Sequence, residues 1–141
     1  MSRRGDDTVA RARALIGVRF RAQGRGSDGL DCVGLAAAAL EIAGVREDYA
    51  LRSSSDKALA TSLRRLGLIP IERREPGDLL VMCSGAGQLH LGIWTGAGLV
   101  HADAGLRRVV ERPAPVPWRV LSAWRPAPVG EPEGGASPWQ R

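Results

Sequence analysis

His90-Leu91-Gly92-Ile93-Trp94-Thr95-Gly96-Ala97-Gly98-Leu99-Val100-His101 contains both histidines of the chain. Residues 90–94 and 99–103 are mostly apolar or β-prone and flank a glycine-containing stretch suited to a tight turn, so this segment predicts a β-hairpin. A symmetric two- or four-residue loop pairs residues whose numbers share one sum, setting His101 opposite Gly92 and Asp103 opposite His90. Alternation along the strands then puts His90, Gly92, Leu99, His101 and Asp103 on one face, and Leu91, Ile93, Val100 and Ala102 on the other. The two histidines become diagonal neighbours ~7–8 Å apart at Cα, within reach of two long side chains. Gly92 is expected to leave space beside the imidazoles. A one-residue bulge in the hairpin would undo the arrangement.

Upstream stands Gly29-Leu30-Asp31-Cys32-Val33-Gly34-Leu35. Residues 33–43 are rich in helix formers, with Asp31 suited to N-cap them and Gly44 to stop them. Cys32 then falls in the first turn, where the helix dipole and unpaired amides favour a thiolate. One thiol and two imidazoles in this arrangement suggest a cysteine nucleophile with a base and an orienter. Lowering a thiol pKa from ~8.5 to ~6 raises its ionised fraction roughly thirtyfold. The accompanying loss of nucleophilicity, with a Brønsted slope of ~0.4–0.5 borrowed from thiol exchange, removes about tenfold of that. Most of any rate enhancement must therefore come from positioning, from amides facing an oxyanion, and from an imidazolium that protonates the leaving amine.

The runs Asp31-Cys32-Val33-Gly34-Leu35, Pro76-Gly77-Asp78-Leu79-Leu80, His90-Leu91-Gly92-Ile93 and Val100-His101-Ala102 resemble the successive motifs of NlpC/P60 cysteine peptidases, matching in order and spacing over roughly residues 9–125. The resemblance implies a papain-like α+β domain, with N-terminal helices packed on an antiparallel sheet, that cleaves peptide-stem amide bonds of bacterial peptidoglycan, commonly between D-glutamate and diaminopimelate. It also implies Cys32 as nucleophile, His90 as general base and acid, and His101 as the polar residue orienting His90, with no cofactor. The thiol precedes the histidines, which argues against the circularly permuted acyltransferase-like branch. Two positions depart from the family pattern. Phe20 stands where a tyrosine hydroxyl usually helps shape the site, and Val33 follows the cysteine where serine is common.

The remaining chain reads as one domain over residues 1–125 and a flexible tail over 126–141, which is dominated by Pro, Gly and polar residues. Helices are expected over about 7–16 and from an N-cap at Ser55, with Leu59, Leu63 and Leu66 on one face and Gly67 as stop. A Gly-rich loop is expected over 24–29. Pro76-Gly77 suits a type II turn before a strand at 79–82, and further strands are expected near 107–112 and 119–124. Helices followed by short antiparallel strands indicate α+β.

No stretch approaches the ~20 apolar residues of a membrane span, and the N-terminus lacks the apolar core of a secretory signal. Cytoplasmic synthesis is therefore expected, with no membrane insertion. Delivery to the wall by a phage or phage-tail-like particle would reconcile that with a peptidoglycan substrate, and tail proteins are then partners. Of 20 basic residues against 15 acidic, all but one of the basic ones are arginine, without a basic stripe interleaved with aromatics. That pattern reads as a solvated surface and argues against a nucleic-acid partner. Cys83 ends an apolar strand and reads as packing, and a Cys32–Cys83 disulfide is disfavoured in a cytosolic chain. No close Cys or His pair nucleates a zinc site. Asp103 either pairs with His90 or caps the strand end, and Trp94, Trp118 and Trp124 read as core or groove wall. The competing function is a catalytically decayed structural or wall-binding component of a tail-like assembly, motivated by Phe20 and the missing signal. Retention of the whole Cys-His-His set favours the enzyme.

Overall fold

The computed structural model describes residues 3–26, 29–42, 55–85 and 88–128. In chain order the elements are α1 (Arg3–Ala14), β1 (Arg25–Gly26), β2 (Gly29–Leu30), α2 (Cys32–Leu40), α3 (Asp56–Arg65), β3 (Leu68–Ile71), β4 (Leu79–Gly85), β5 (Gln88–Trp94), β6 (Gly98–Asp103), β7 (Arg108–Pro113) and β8 (Arg119–Pro126). Six strands form one antiparallel sheet in the order β3-β8-β4-β5-β6-β7. All three described helices precede the six strands of this sheet along the chain, giving the expected α+β class.

Both faces of the central strand are covered. Leu79 and Val81 of β4 join Leu91, Ile93, Val100 and Ala102 in a core shared with Leu35, Ala36, Ala39 and Leu40 of α2. Leu80 and Met82 point the other way and pack with Leu99 and Ala123, against Trp94, Val116 and Trp118. A strand buried on both faces needs an unbroken apolar run, which Leu79-Leu80-Val81-Met82 supplies. The turn before it is the expected one. Gly77 has φ +99°, and the Asp78 N–H donates to the Glu75 carbonyl at 3.1 Å. Asp78 is almost wholly buried, accepts the Glu75 N–H, and takes a bidentate ion pair from Arg125 of β8 at 2.9 and 2.8 Å. The Pro-Gly-Asp run thus ties the turn before β4 to the neighbouring strand β8.

Several boundaries moved. Helix α1 starts four residues before the expected Asp7 and ends at Ala14, beyond which Leu15 and Ile16 continue as i→i−3 turns. Helix α2 ends at Leu40, short of the expected 43. Glu41 adopts the left-handed conformation at φ 57°, and the N–H groups of Ile42 and Glu41 reach Ala37 O and Ala38 O in a Schellman pattern. Arg11 Nε, from α1, donates to Ala39 O at 2.8 Å, so a tertiary contact also satisfies that end. The expected stop at Gly44 lies outside the described residues. Helix α3 carries its Ser55 cap, whose hydroxyl accepts the Ala58 N–H, and buries Leu59 and Leu63 as expected. The loop expected over 24–29 contains the short β1–β2 pair, and β3 was not anticipated at all. Of the tail expected over 126–141, Pro126 pairs with Leu68 and the Ala127 N–H donates to Gly67 O, while residues 129–141 lie outside the described residues.

Candidate active site

Beside the turn the hairpin has the anticipated register, while the expected pairs His101↔Gly92 and Asp103↔His90 are not part of the ladder. Ile93 pairs with Val100 and Trp94 with Leu99, and the Thr95 N–H closes the turn on Gly98 O at 2.8 Å. Toward the other end, His90 takes its register from Met82 of β4 and His101 from Val110 of β7. Each histidine is therefore held by its outer neighbour. Their rings meet at right angles, with His90 Nε2 2.9 Å from His101 Nδ1. Gly92 serves a different purpose from the one expected. A Cβ there would collide with the Leu99 side chain, so the missing side chain makes room for an apolar neighbour and not for the imidazoles.

Cys32 opens α2. Asp31 caps this helix, its Oδ1 accepting the Gly34 N–H at 2.9 Å and pairing with Arg25 at 2.7 Å, while its Oδ2 accepts the Gln23 N–H. The first turn lies so close to the preceding loop that a Cβ on Gly34 would run into the Gly24 carbonyl. Cys32, Asp31, Phe20 and Gln23 line one side of a cavity of about 410 Å³, and His90, His101, Asp103 and Trp118 line another part of it. The structure thus brings Cys32, His90 and His101 to one cavity, where β5 begins, β6 ends and α2 starts.

The charge states differ from the sequence reading. Although Cys32 keeps some exposure as a residue, its sulfur is closely surrounded by protein. Burial pushes the thiol up to about 12, aided by the Asp31 carboxylate, and outweighs the N–H groups of Leu91 and Cys32 and the charge of Arg25, which pull it down. The direction is opposite to the depressed thiol expected from the helix terminus, because desolvation there works against the dipole and amides. His90 is pushed down to about 4 by burial and by His101, against the pull of Asp103. His101, 1% exposed, is likewise lowered by burial, with Asp103 raising it and Arg112 lowering it. All three shifts favour the neutral thiol and neutral imidazoles.

Several neighbours escaped the sequence reading. Trp118 lies edge-on to both imidazoles, with ring centroids 5.0 and 5.1 Å away, and walls the pair on the side of the loop before β8. Its place as groove wall was foreseen, but its contact with the histidines was not, because nothing in the spacing links residue 118 to residues 90 and 101. Gln23, at the cavity rim with φ 61°, gave no motif signal either. Cys83 stands apart, its thiol donating to Gly85 O at 3.0 Å, and both cysteines are free. Among the described residues no group of three or more His, Cys, Asp or Glu side chains is placed to hold a metal ion, and no helix is long and apolar enough to cross a membrane.

Among curated proteins no sequence matches the chain. Solved structures do resemble it in fold. NlpC1 from Trichomonas vaginalis is 20% identical with a TM-score of 0.64, over 86% of this chain and 44% of that one. The peptidoglycan hydrolase RipB from Mycobacterium tuberculosis is 20% identical with a TM-score of 0.56, over 89% of this chain and 68% of that one. RipD from the same organism, a non-catalytic NlpC/p60 domain protein adapted to peptidoglycan binding, is 19% identical with a TM-score of 0.53, over 88% and 97%. This chain spans less than half the length of the Trichomonas protein. At these identities the likeness is one of fold, and it is the papain-like α+β arrangement expected above. A sequence model of the NlpC/P60 family matches residues 17–118, a span that takes in the thiol, both imidazoles and Trp118, and the chain belongs to the NlpC/P60 family.

Proposed function

We propose that this protein is a cysteine peptidase hydrolysing peptide-stem amide bonds of bacterial peptidoglycan, with the bond between D-glutamate and diaminopimelate as its target. The observation that carries the reading is the 2.9 Å contact between His90 Nε2 and His101 Nδ1 in the cavity that also receives Cys32. It occupies one nitrogen of His90 and leaves Nδ1 to take the thiol proton. Because thiol and imidazole rest neutral, proton transfer accompanies attack. The Cys32 sulfur bonds to the amide carbon as its proton passes to His90 Nδ1. The Cys32 N–H at the start of α2, joined by a side-chain donor from the cavity lining such as Gln23, meets the oxyanion in place of the hydroxyl that Phe20 lacks. His90 then protonates the departing amine, the C–N bond breaks, and water deprotonated by His90 hydrolyses the thioester to a carboxylic acid and the free thiol.

Digestion of purified diaminopimelate-type peptidoglycan, with released fragments identified by mass spectrometry, tests this. Wild type is expected to release peptides that begin with diaminopimelate and to leave stems ending in D-glutamate on the glycan, and Cys32→Ala neither. Equal fragment yields from the two proteins would refute the reading.

A second reading, a peptidoglycan-binding domain without catalysis, draws support from the raised Cys32 thiol, from Phe20 and from the fold likeness to RipD. It predicts that wild type and Cys32→Ala sediment equally with wall sacculi while neither releases fragments. Delivery by a phage-tail-like particle is part of the proposal and rests on the sequence reading. Co-purification of the chain with assembled tail particles tests it.

A further inference from the structure

Asp103 lies outside the Cys-His-His set, and the sequence left its role open between a partner of His90 and a strand-end cap; the histidine it faces is His101. In the structure it faces both ways. Its Oδ1 accepts the Leu106 N–H at 2.9 Å, closing the turn after β6, and its Oδ2 lies 3.9 Å from His101 Nε2. That ring nitrogen is buried and has no hydrogen-bond partner. The His90–His101 contact holds one proton, and there are two ways to place it. If His90 Nε2–H donates, His101 carries its own proton on Nε2, facing the carboxylate, and His90 Nδ1 is bare. If His101 Nδ1–H donates instead, its bare Nε2 lone pair faces the carboxylate, and His90 must carry its proton on Nδ1, where it cannot accept one from a thiol. At 3.9 Å the contact is longer than a hydrogen bond, yet in a site walled by Trp118 a carboxylate still favours the proton on the nearer nitrogen.

We propose that Asp103 is a positioning residue which, through the buried His101 Nε2 that faces it, selects the tautomer of the histidine pair that leaves His90 Nδ1 free as base. The catalytic part of this statement rests on the function proposed above. The other groups facing His101 are His90 from β5, Trp118, the Ala102 backbone, which like Asp103 favours protonation, and Arg112 from β7, whose charge opposes it and adds to the larger effect of burial. Arg108 is the register partner of Asp103 across β6 and β7.

Asp103→Asn discriminates this role from simple capping. The carboxamide oxygen can keep the Leu106 N–H, which turns an NH₂ donor toward His101 Nε2 and reverses the preferred tautomer. The experiment is long-range proton–nitrogen correlation spectroscopy on the full, ¹⁵N-labelled chain. In wild type both histidines are expected as Nε2–H tautomers, and in Asp103→Asn both as Nδ1–H tautomers. Asp103→Ser, which keeps a turn-capping oxygen without reaching His101, is expected to give a mixture, and it supplies the comparison should Asn fold poorly. On stem-peptide substrate, Asp103→Asn is expected to lower kcat more than about tenfold with KM little changed, as expected for a wrong tautomer. Wild-type spectra with His101 protonated at Nδ1, or tautomers unchanged in both variants, would overturn the proposal. If the tautomers switch while wild type hydrolyses no peptidoglycan, the positioning role stands and the peptidase reading fails.

Discussion

His90 Nε2 and His101 Nδ1 approach to 2.9 Å although the β5–β6 register is made by Ile93↔Val100 and Trp94↔Leu99. The rings meet because β4 and β7 hold their backbones from outside and Trp118 stands against both. His101→Ala removes the acceptor that fixes the orientation of His90, and a misplacement of about 1 Å can cost ~10²-fold. A loss of that order in kcat is expected, with partial rescue by His101→Asn. The check is the rate of stem-peptide cleavage in variants whose thermal melts show a folded protein. Full activity in His101→Ala would remove this residue from the site.

The Cys32 thiol is held up to about 12. Its alkylation by iodoacetamide is therefore expected to stay slow until pH is well above 9 in the folded protein, and to follow an ordinary thiol of pKa ~8.5 after denaturation. Mass spectrometry of each cysteine against pH reads this directly. A reaction that reaches its plateau below pH 8 would restore the thiolate expected from the helix terminus alone.

Both histidines are pushed down by burial, His90 to about 4. A base whose folded pKa lies below its unfolded value of ~6.5 stabilises the fold above that value and loses the contribution as pH falls, because the unfolded chain takes up the proton first. Stability is expected to decline from about pH 6.5 toward 4, by a few kcal/mol if His90 keeps this environment. Urea denaturation across that range measures the slope. His90→Ala is expected to flatten it, and an unchanged slope in that variant would mean that His90 is not the group responsible.

Gly34 packs its α-carbon against the Gly24 carbonyl, where a Cβ has no room and the obstacle is backbone. Gly34→Ala is expected to destabilise by about 1–3 kcal/mol through overpacking and to disturb the Asp31 cap beside Cys32. Gly85, with nothing within 4 Å of an added Cβ, is the control, and its alanine variant is expected to stay within about 0.5 kcal/mol of wild type. Denaturant midpoints compare the two.

The parts legible in the sequence were those governed by local periodicity. Alternation grouped Leu91, Ile93, Val100 and Ala102 on the face opposite the histidines, and the four pack together in the core against α2. The Asp31 and Ser55 caps were readable because a capping side chain bonds within three residues of itself. Strand β3 was not readable, since four residues containing Pro70 carry little strand signal and become a strand only by lying along β8 at the sheet edge. The end of α2 was also hidden, because Glu41 rather than a glycine adopts the left-handed turn and Arg11 arrives from another helix.

By itself the sequence determined the pairing beside the hairpin turn and the helix that begins at Cys32, because each depends on residues close together along the chain. Tertiary structure alone decided the rest. Whether Cys32 rests as a thiol depends on how much protein surrounds its sulfur, a sum over elements distant in sequence. Trp118 reaches His101 only because β6 and the segment leading into β8 converge on one end of the sheet.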